Sequence, residues 1–203
     1  FSCKTSSGNG GAIYFSNTNS GQCVFYKVCG FDCCSSSNCQ FSVVETYNFL
    51  TKKNYVNFSS FSRCVSESSN SYYILFHKNG KNLYPSVNVS MNKCYCRGIY
   101  CCPYLDSNSV TFSTSFSSFV DNIAIASTCI MLWMNGAKFE IKSCNILRNT
   151  QGSPDTQGTI YTNGYLMIEN SCILENTATY IFRQYSSSYT ITLSNCTVDS
   201  TSS

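Results

Sequence analysis

Charge is scarce in this sequence. Asp, Glu, Lys and Arg make up only 11% of its 203 residues, against about 25% in an ordinary soluble domain. Thirteen basic and ten acidic side chains leave a net charge of +3, with no basic stripe, so nucleic acid is not expected as a partner. Histidine and tryptophan occur once each and proline three times. The most apolar stretch, Ile123 to Met134, is shorter than the roughly 20 residues a membrane helix needs. Ser127 and Thr128 also interrupt it, so no transmembrane segment is expected. Helix formers are few, and no window holds ten residues of unbroken 3.6-residue apolar period, which excludes ankyrin, tetratricopeptide and HEAT arrays. The spaced leucines of leucine-rich repeats are missing too. In place of charge stand Ser, Asn and Thr, with 15 Tyr, 14 Phe and 15 Cys. A hydrophobic fraction of 43% excludes a disordered tail.

Several features point outside the cell. The chain starts at Phe1 with no signal-peptide pattern. Asn57-Phe58-Ser59, Asn88-Val89-Ser90 and Asn195-Cys196-Thr197 are N-glycosylation acceptor sequences, with Asn57, Asn88 and Asn195 as the acceptors. Fifteen cysteines suit an oxidising compartment, and their odd number leaves one thiol free or paired between chains. We expect a piece of a longer exported protein, extracellular or at a cell surface.

Repetition is the main signal. Phe119-Val120-Asp121-Asn122, Ile146-Leu147-Arg148-Asn149, Ile173-Leu174-Glu175-Asn176 and Thr197-Val198-Asp199-Ser200 align with first residues 27, 27 and 24 positions apart. Upstream of them stand Val110-Thr111-Phe112, Phe139-Glu140-Ile141, Leu166-Met167-Ile168 and Ile191-Thr192-Leu193, each apolar at its ends, the period-2 mark of a short strand. Turn clusters such as Asn135-Gly136 and Asn163-Gly164 come before these triplets. Before the turns lie further apolar runs: Tyr104-Leu105, Ile130 to Trp133, Thr159 to Tyr161 and Tyr180 to Phe182. In the first half the leading runs would be Ala12 to Phe15, Tyr47 to Leu50 and Tyr73 to Phe76. The second strands would be Val24 to Tyr26, Tyr55 to Phe58 and Val87 to Val89. Residues 39 to 46 and 77 to 84 read as lengthened turns.

Short Tyr-, Phe-, Ile-, Val- and Thr-rich strands recurring every 24 to 30 residues or so describe a solenoid of about seven coils. The expected fold is all-β: a right-handed, single-stranded parallel β-helix over 1–203, with less regular Cys-rich coils over 10–104 and regular ones over 105–203. A barrel or β-sandwich would also use such strands, but neither needs Ile141 and Ile168, or Ile146 and Ile173, to recur at one spacing. Asn residues at the corners should bond side chain to side chain. The open edge after Thr197 predicts further coils of the parent chain beyond 203 and before residue 10.

Gly10-Gly11-Ala12-Ile13 and Phe119-Val120-Asp121-Asn122 resemble the GGAI and FxxN tetrapeptides of the polymorphic outer membrane protein repeats of chlamydiae, with related repeats on surface proteins of protozoan parasites. Looser copies are Gln157-Gly158-Thr159-Ile160, Ile146 to Asn149 and Ile173 to Asn176. The resemblance implies a surface-exposed β-helical ectodomain of the pectin-lyase-like class, associated with adhesion. High Cys, Tyr, Asn and Ser content is closer to the parasite proteins. In physical terms the motif is structural: paired glycines permit unusual backbone angles and close approach of coils, and Ile13 points inward.

Cys144, Cys172 and Cys196 fall at near-equivalent places and are read as a column of thiols, or as disulfides between coils; Cys64 and Cys94 would continue it. Bridges are also weighed in the dense runs Cys23 to Cys39 and Cys94 to Cys102. No pair has the spacing of a zinc knuckle. His77, beside Lys78-Asn79-Gly80, reads as a solvated loop histidine. No cofactor or metal is expected. Glu140 and Glu169, at near-stacked positions, are the acids a polysaccharide lyase or glycoside hydrolase would draw on. Asp121, Arg148, Glu175 and Asp199 read as a surface ladder of compensating charge. The leading expectation is a non-catalytic stalk or adhesive face for glycans or host-cell surface proteins. A carbohydrate-active enzyme and an autotransporter passenger are the competing readings.

Overall fold

The computed structural model describes residues 2–6, 8–66, 68–126, 128–152 and 157–199. Ser127, and the Ser200 that closes the last repeat segment, lie outside them. The chain forms a parallel β-solenoid of about seven turns, and no helix occurs among the described residues. Each coil contributes a leading, a second and a third strand. The leading strands are Ile13–Ser16, Cys39–Glu45, Tyr73–Lys78, Arg97–Cys102, the first parts of Ile130–Lys142 and Ile160–Glu169, and Phe182–Gln184. The second strands run from Cys23–Tyr26 through Lys53–Asn57, Lys81–Pro85 and Val110–Ser115 to Ile191–Ser194. Ile130–Lys142 and Ile160–Glu169 run through both positions and join the two walls into one sheet. The third strands, from Cys29–Phe31 to Thr197–Val198, make a separate seven-stranded wall.

Period-2 alternation makes inward side chains stack coil on coil. The second-strand wall carries two such columns, Asn54, Asn82, Phe112, Phe139, Leu166 and Val56, Tyr84, Thr114, Ile141, Ile168. The third wall carries Gly30, Phe61, Val89, Phe119, Ile146, Ile173 and Val198. At Gly30 a Cβ would lie 2.2 Å from the Phe41 ring, so that ring occupies the space a larger residue would fill. Ile141 therefore stands directly on Ile168, and Ile146 on Ile173, as their spacing predicts.

The register corrects the first-half expectations. Residues 39 to 45 are the leading strand of the second coil, not a turn. Its side chains are buried on both faces, so no alternation marks it. Tyr47 to Leu50 belong instead to the following turn, where the Tyr47 and Phe49 rings stack outside the core at 6.2 Å. Residues 77 to 84 end one strand and begin the next, around a corner at Asn79-Gly80 where both φ are positive, 65° and 61°. Val87 to Val89 lead into the third strand Asn88–Ser90, and Lys81–Pro85 is the second strand of that coil. Arg97–Cys102 replaces Tyr104-Leu105 as a leading strand. In the last coil Val198, not Thr197, pairs with Ile173.

Two columns of left-handed residues turn the corners of the third wall: Lys27, Phe58, Ser86, Phe116, Ser143, Asn170 and Asn195 stand before it, and a second column stands after it. Asp32, Arg63, Met91, Asp121, Arg148 and Glu175 share φ between 52° and 59°. Such a backbone costs a non-glycine residue on the order of 1 kcal/mol. The asparagine after each of the last four offsets it. Asn92, Asn122, Asn149 and Asn176 form a ladder in which Nδ2 donates to the Oδ1 of the next at 2.9, 3.0 and 3.0 Å. The same Oδ1 atoms accept the backbone N–H of Cys64, Asn92, Asn122 and Asn149. Nδ2 also donates to the carbonyls of Phe61, Val89, Phe119 and Ile146. The FxxN motif is thus a device for closing a corner.

Candidate ligand-binding face

On the leading wall, between the inward column Ser42, Leu75, Ile99, Ile130, Ile160 and the inward column Val44, His77, Cys101, Leu132, Thr162, lies one outward position per coil. Tyr14, Val43, Phe76, Tyr100, Met131, Tyr161 and Arg183 occupy it in register; Tyr14 is exposed and Phe76, Tyr100 and Arg183 are half-buried, while Val43, Met131 and Tyr161 are covered by their neighbours. A line of large apolar groups on an outer wall is unusual in a chain so rich in small polar residues. Two aromatic clusters grow from it. Tyr73, Phe76 and Tyr100 lie nearly parallel, with ring centroids 5.1 to 5.4 Å apart and interplanar angles of 16° to 24°. The Arg97 guanidinium sits 6.0 Å from the Tyr73 centroid and 5.6 Å from that of Tyr100. Further along, Trp133 packs against Tyr161 at 5.7 Å and Tyr185 at 4.9 Å.

Beside the first cluster opens a cleft of about 240 Å³ lined by Asn9, Tyr14, Asn38, Val43, Glu45, Tyr73 and Phe76. Val43 forms its apolar floor. Tyr14 is 56% exposed and faces the Tyr73–Phe76 pair across it. The rim is polar: Asn38 Nδ2 donates to Asn9 Oδ1 at 2.6 Å, and Glu45 makes a loose ion pair with Lys78 at 3.9 Å. Sequence reasoning placed Tyr73 and Phe76 on a strand but missed the cleft, because Val43 and Glu45 fell in a segment read as turn.

The other predicted residues resolve differently. Gly10 and Gly11 have no positive φ; a Cβ on Gly11 would stand 1.9 Å from the Gln40 carbonyl and one on Gly10 2.1 Å from that of Ile13. Close approach alone therefore fixes the pair, while Ala12 and Ile13 pack against the core. Cys144 and Cys196 flank Ser171 where the third strand begins, their Sγ atoms donating to the Lys142 and Ser194 carbonyls at 3.2 and 3.3 Å. Ser59, Ser117 and Ser171 use their hydroxyls in the same way, so a thiol substitutes for a hydroxyl there. Cys172 stands one residue further, in register with Asn145 and Thr197. Cys64 heads the asparagine ladder, and Cys94 pairs with Ala124; neither joins the Cys144 column.

No family model, curated protein or solved structure matches this chain.

Burial pushes the thiols of Cys39, Cys64, Cys101 and Cys129 up to about 12, which keeps them protonated and poor nucleophiles at neutral pH. His77 is not a loop residue: it is fully buried, inward on its strand between Val44 and Cys101. The turn signature Asn79-Gly80 begins only after its strand ends. Its ring meets Phe25 and Tyr84 edge-on, and Nε2 shares a hydrogen bond of 3.1 Å with Ser42 Oγ. Desolvation lowers its pKa to about 3, so it is neutral and out of reach of any external substrate. Glu140 and Glu169 are two residues out of register, and Lys142 binds both, at 3.2 and 3.4 Å. Arg148 holds Asp121 through two contacts of 2.8 and 3.1 Å and keeps its carboxyl below the usual range. Of the expected ladder Asp121, Arg148 and Glu175 share one corner column, whereas Asp199 is out of register with it and accepts from the Asn176 N–H instead.

Proposed function

We propose that this chain is a non-catalytic β-solenoid segment of a secreted or cell-surface protein, whose leading wall serves as an adhesive face for glycans or host-cell surface proteins. The observation that carries the reading is the accessible aromatic surface of the leading wall, exposed Tyr14 and the half-buried Tyr73, Phe76 and Tyr100 rings, beside a polar rim. Rigid aromatic surface beside amide and hydroxyl groups suits recognition of partly apolar, hydroxyl-rich partners. The likeness of its repeats to polymorphic outer membrane protein repeats and their parasite relatives supports a surface location. A lyase or hydrolase is the weaker reading, since Glu140 and Glu169 are engaged by one lysine rather than set across a water.

Binding of the chain to a glycan array and to host-cell membranes tests this role. We expect binding that falls at least tenfold when Tyr14, Phe76, Tyr100 and Tyr161 are replaced together by Ser. Equal binding by that variant, or none by the parent chain, contradicts it. Export makes a second prediction. Asn88 and Asn195 are exposed, whereas the Asn57 side-chain oxygen is buried. Chain secreted from eukaryotic cells should carry glycans at Asn88 and Asn195 more fully than at half-buried Asn57, read by peptide mass mapping after enzymatic deglycosylation in heavy-oxygen water.

A further inference from the structure

The cleft beside the first aromatic cluster suggests a ligand class, an inference that rests on the adhesive reading of this wall. We propose that the cleft between Tyr14 and the Tyr73–Phe76 pair binds one ring of a neutral hexopyranoside. A pyranose has an apolar C–H face and a rim of neighbouring hydroxyls. It therefore needs a flat π surface together with groups that both accept and donate. The Tyr73 and Phe76 rings supply the surface, backed by Tyr100 stacked on Phe76, and exposed Tyr14 supplies an opposing wall. Because Asn38 Nδ2 is spent on Asn9 Oδ1, Asn38 Oδ1 is left as an acceptor and Asn9 Nδ2 as a donor. The Glu45 carboxylate, held only loosely by Lys78 at 3.9 Å, accepts two adjacent hydroxyl protons.

Size and charge narrow the ligand. At about 240 Å³ the cleft lies below the roughly 300–1,000 Å³ of sites for drug-sized molecules, which suits a single ring with the rest of a glycan outside. Among the described residues Glu45 is the one charged group lining it, and Lys78 outside the lining offsets it only loosely at 3.9 Å, so a uronate or sialate carboxylate would meet like charge there. Neutral hexoses are selected over acidic ones.

Saturation-transfer NMR on the full chain tests this with methyl glucoside, methyl galactoside, methyl mannoside and galacturonate as probes. At least one neutral glycoside should receive saturation, strongest at its ring C–H protons, and galacturonate should not. Tyr14→Ala and Glu45→Gln should each weaken the response at least tenfold, and Glu45→Gln should admit galacturonate. Unchanged circular dichroism would show that both variants fold, and Phe116→Ser, on a distant exposed turn, should bind as the parent does. No response from any neutral glycoside, or full response from both cleft variants, overturns the assignment. If the cleft variants still adhere to glycans or cells like the parent, this site falls and the adhesive role stands. If the parent adheres to nothing, both fall.

Discussion

Acidification from pH 7 to pH 4 is expected to remove about 3 kcal/mol of stability through His77 alone. Folding lowers the pKa of this residue from its ordinary 6.5 to about 3 by burial. Between those values the unfolded chain binds a proton that the folded chain refuses. Stability is therefore complete above pH 6.5 and declines as pH falls through the window toward 3. Among the described residues no carboxylate faces the ring; its neighbours are Ser42, Phe25 and Tyr84, and Nδ1 has no hydrogen-bond partner, so these contacts supply no counter-charge to an imidazolium. The surface carboxylates of half-buried Asp106 and Asp121, lowered by hydrogen bonds to Ser109 and Arg148 respectively, add an acid dependence of their own, which a variant separates. Urea unfolding of the parent and of His77→Leu at pH 7 and pH 4 should show a parent loss about 3 kcal/mol larger than that of the variant. Equal losses would mean that His77 is solvated.

The asparagine ladder carries the second large effect. Asn149→Ala removes four hydrogen bonds at once. Asn122 N–H and Nδ2 lose Oδ1 as acceptor at 3.1 and 3.0 Å, and Asn149 Nδ2 no longer reaches Phe119 O or Asn176 Oδ1. The site is buried, so water cannot replace them freely, and a loss of about 3–5 kcal/mol is expected. That is a large share of the 5–15 kcal/mol or so that holds a typical domain. Asn176→Ala, at a half-buried rung, should lose distinctly less. Chemical denaturation midpoints of the two variants decide the matter; equal and small losses would show that the rungs are not coupled.

These rungs also show where the sequence is legible. Asn122, Asn149 and Asn176 recur at an even spacing because each needs the next as a hydrogen-bond partner, so a physical coupling writes itself into the chain as a period. The same holds for Ile141 over Ile168. Asn92 makes the same bonds, yet Val89-Ser90-Met91-Asn92 lacks the aliphatic second and charged third residues of the other copies and stands 30 rather than 27 positions before Asn122, so the period does not mark it. Cys64 heads the ladder with only a backbone N–H to offer the next Oδ1, and that contact constrains no side chain. The strand Cys39–Glu45 hid for a different reason: buried on both faces, it lacks the alternation that marks a half-exposed strand. His77 hid because its turn neighbours dominated the reading. The cleft depends on Tyr14, Val43 and Phe76 meeting across three coils, and only the register brings them together.

The account stands on parallel coils stacked about one axis, and proton NMR of backbone contacts tests that most directly. Cross-coil amide-to-Hα contacts should connect Phe119 with the Ile146 pair and Ile146 with the Ile173 pair, as their registered pairing requires. Short Hα–Hα contacts between those strands, the mark of antiparallel neighbours, or an absence of any contact between Ile146 and Ile173 neighbours, would contradict it.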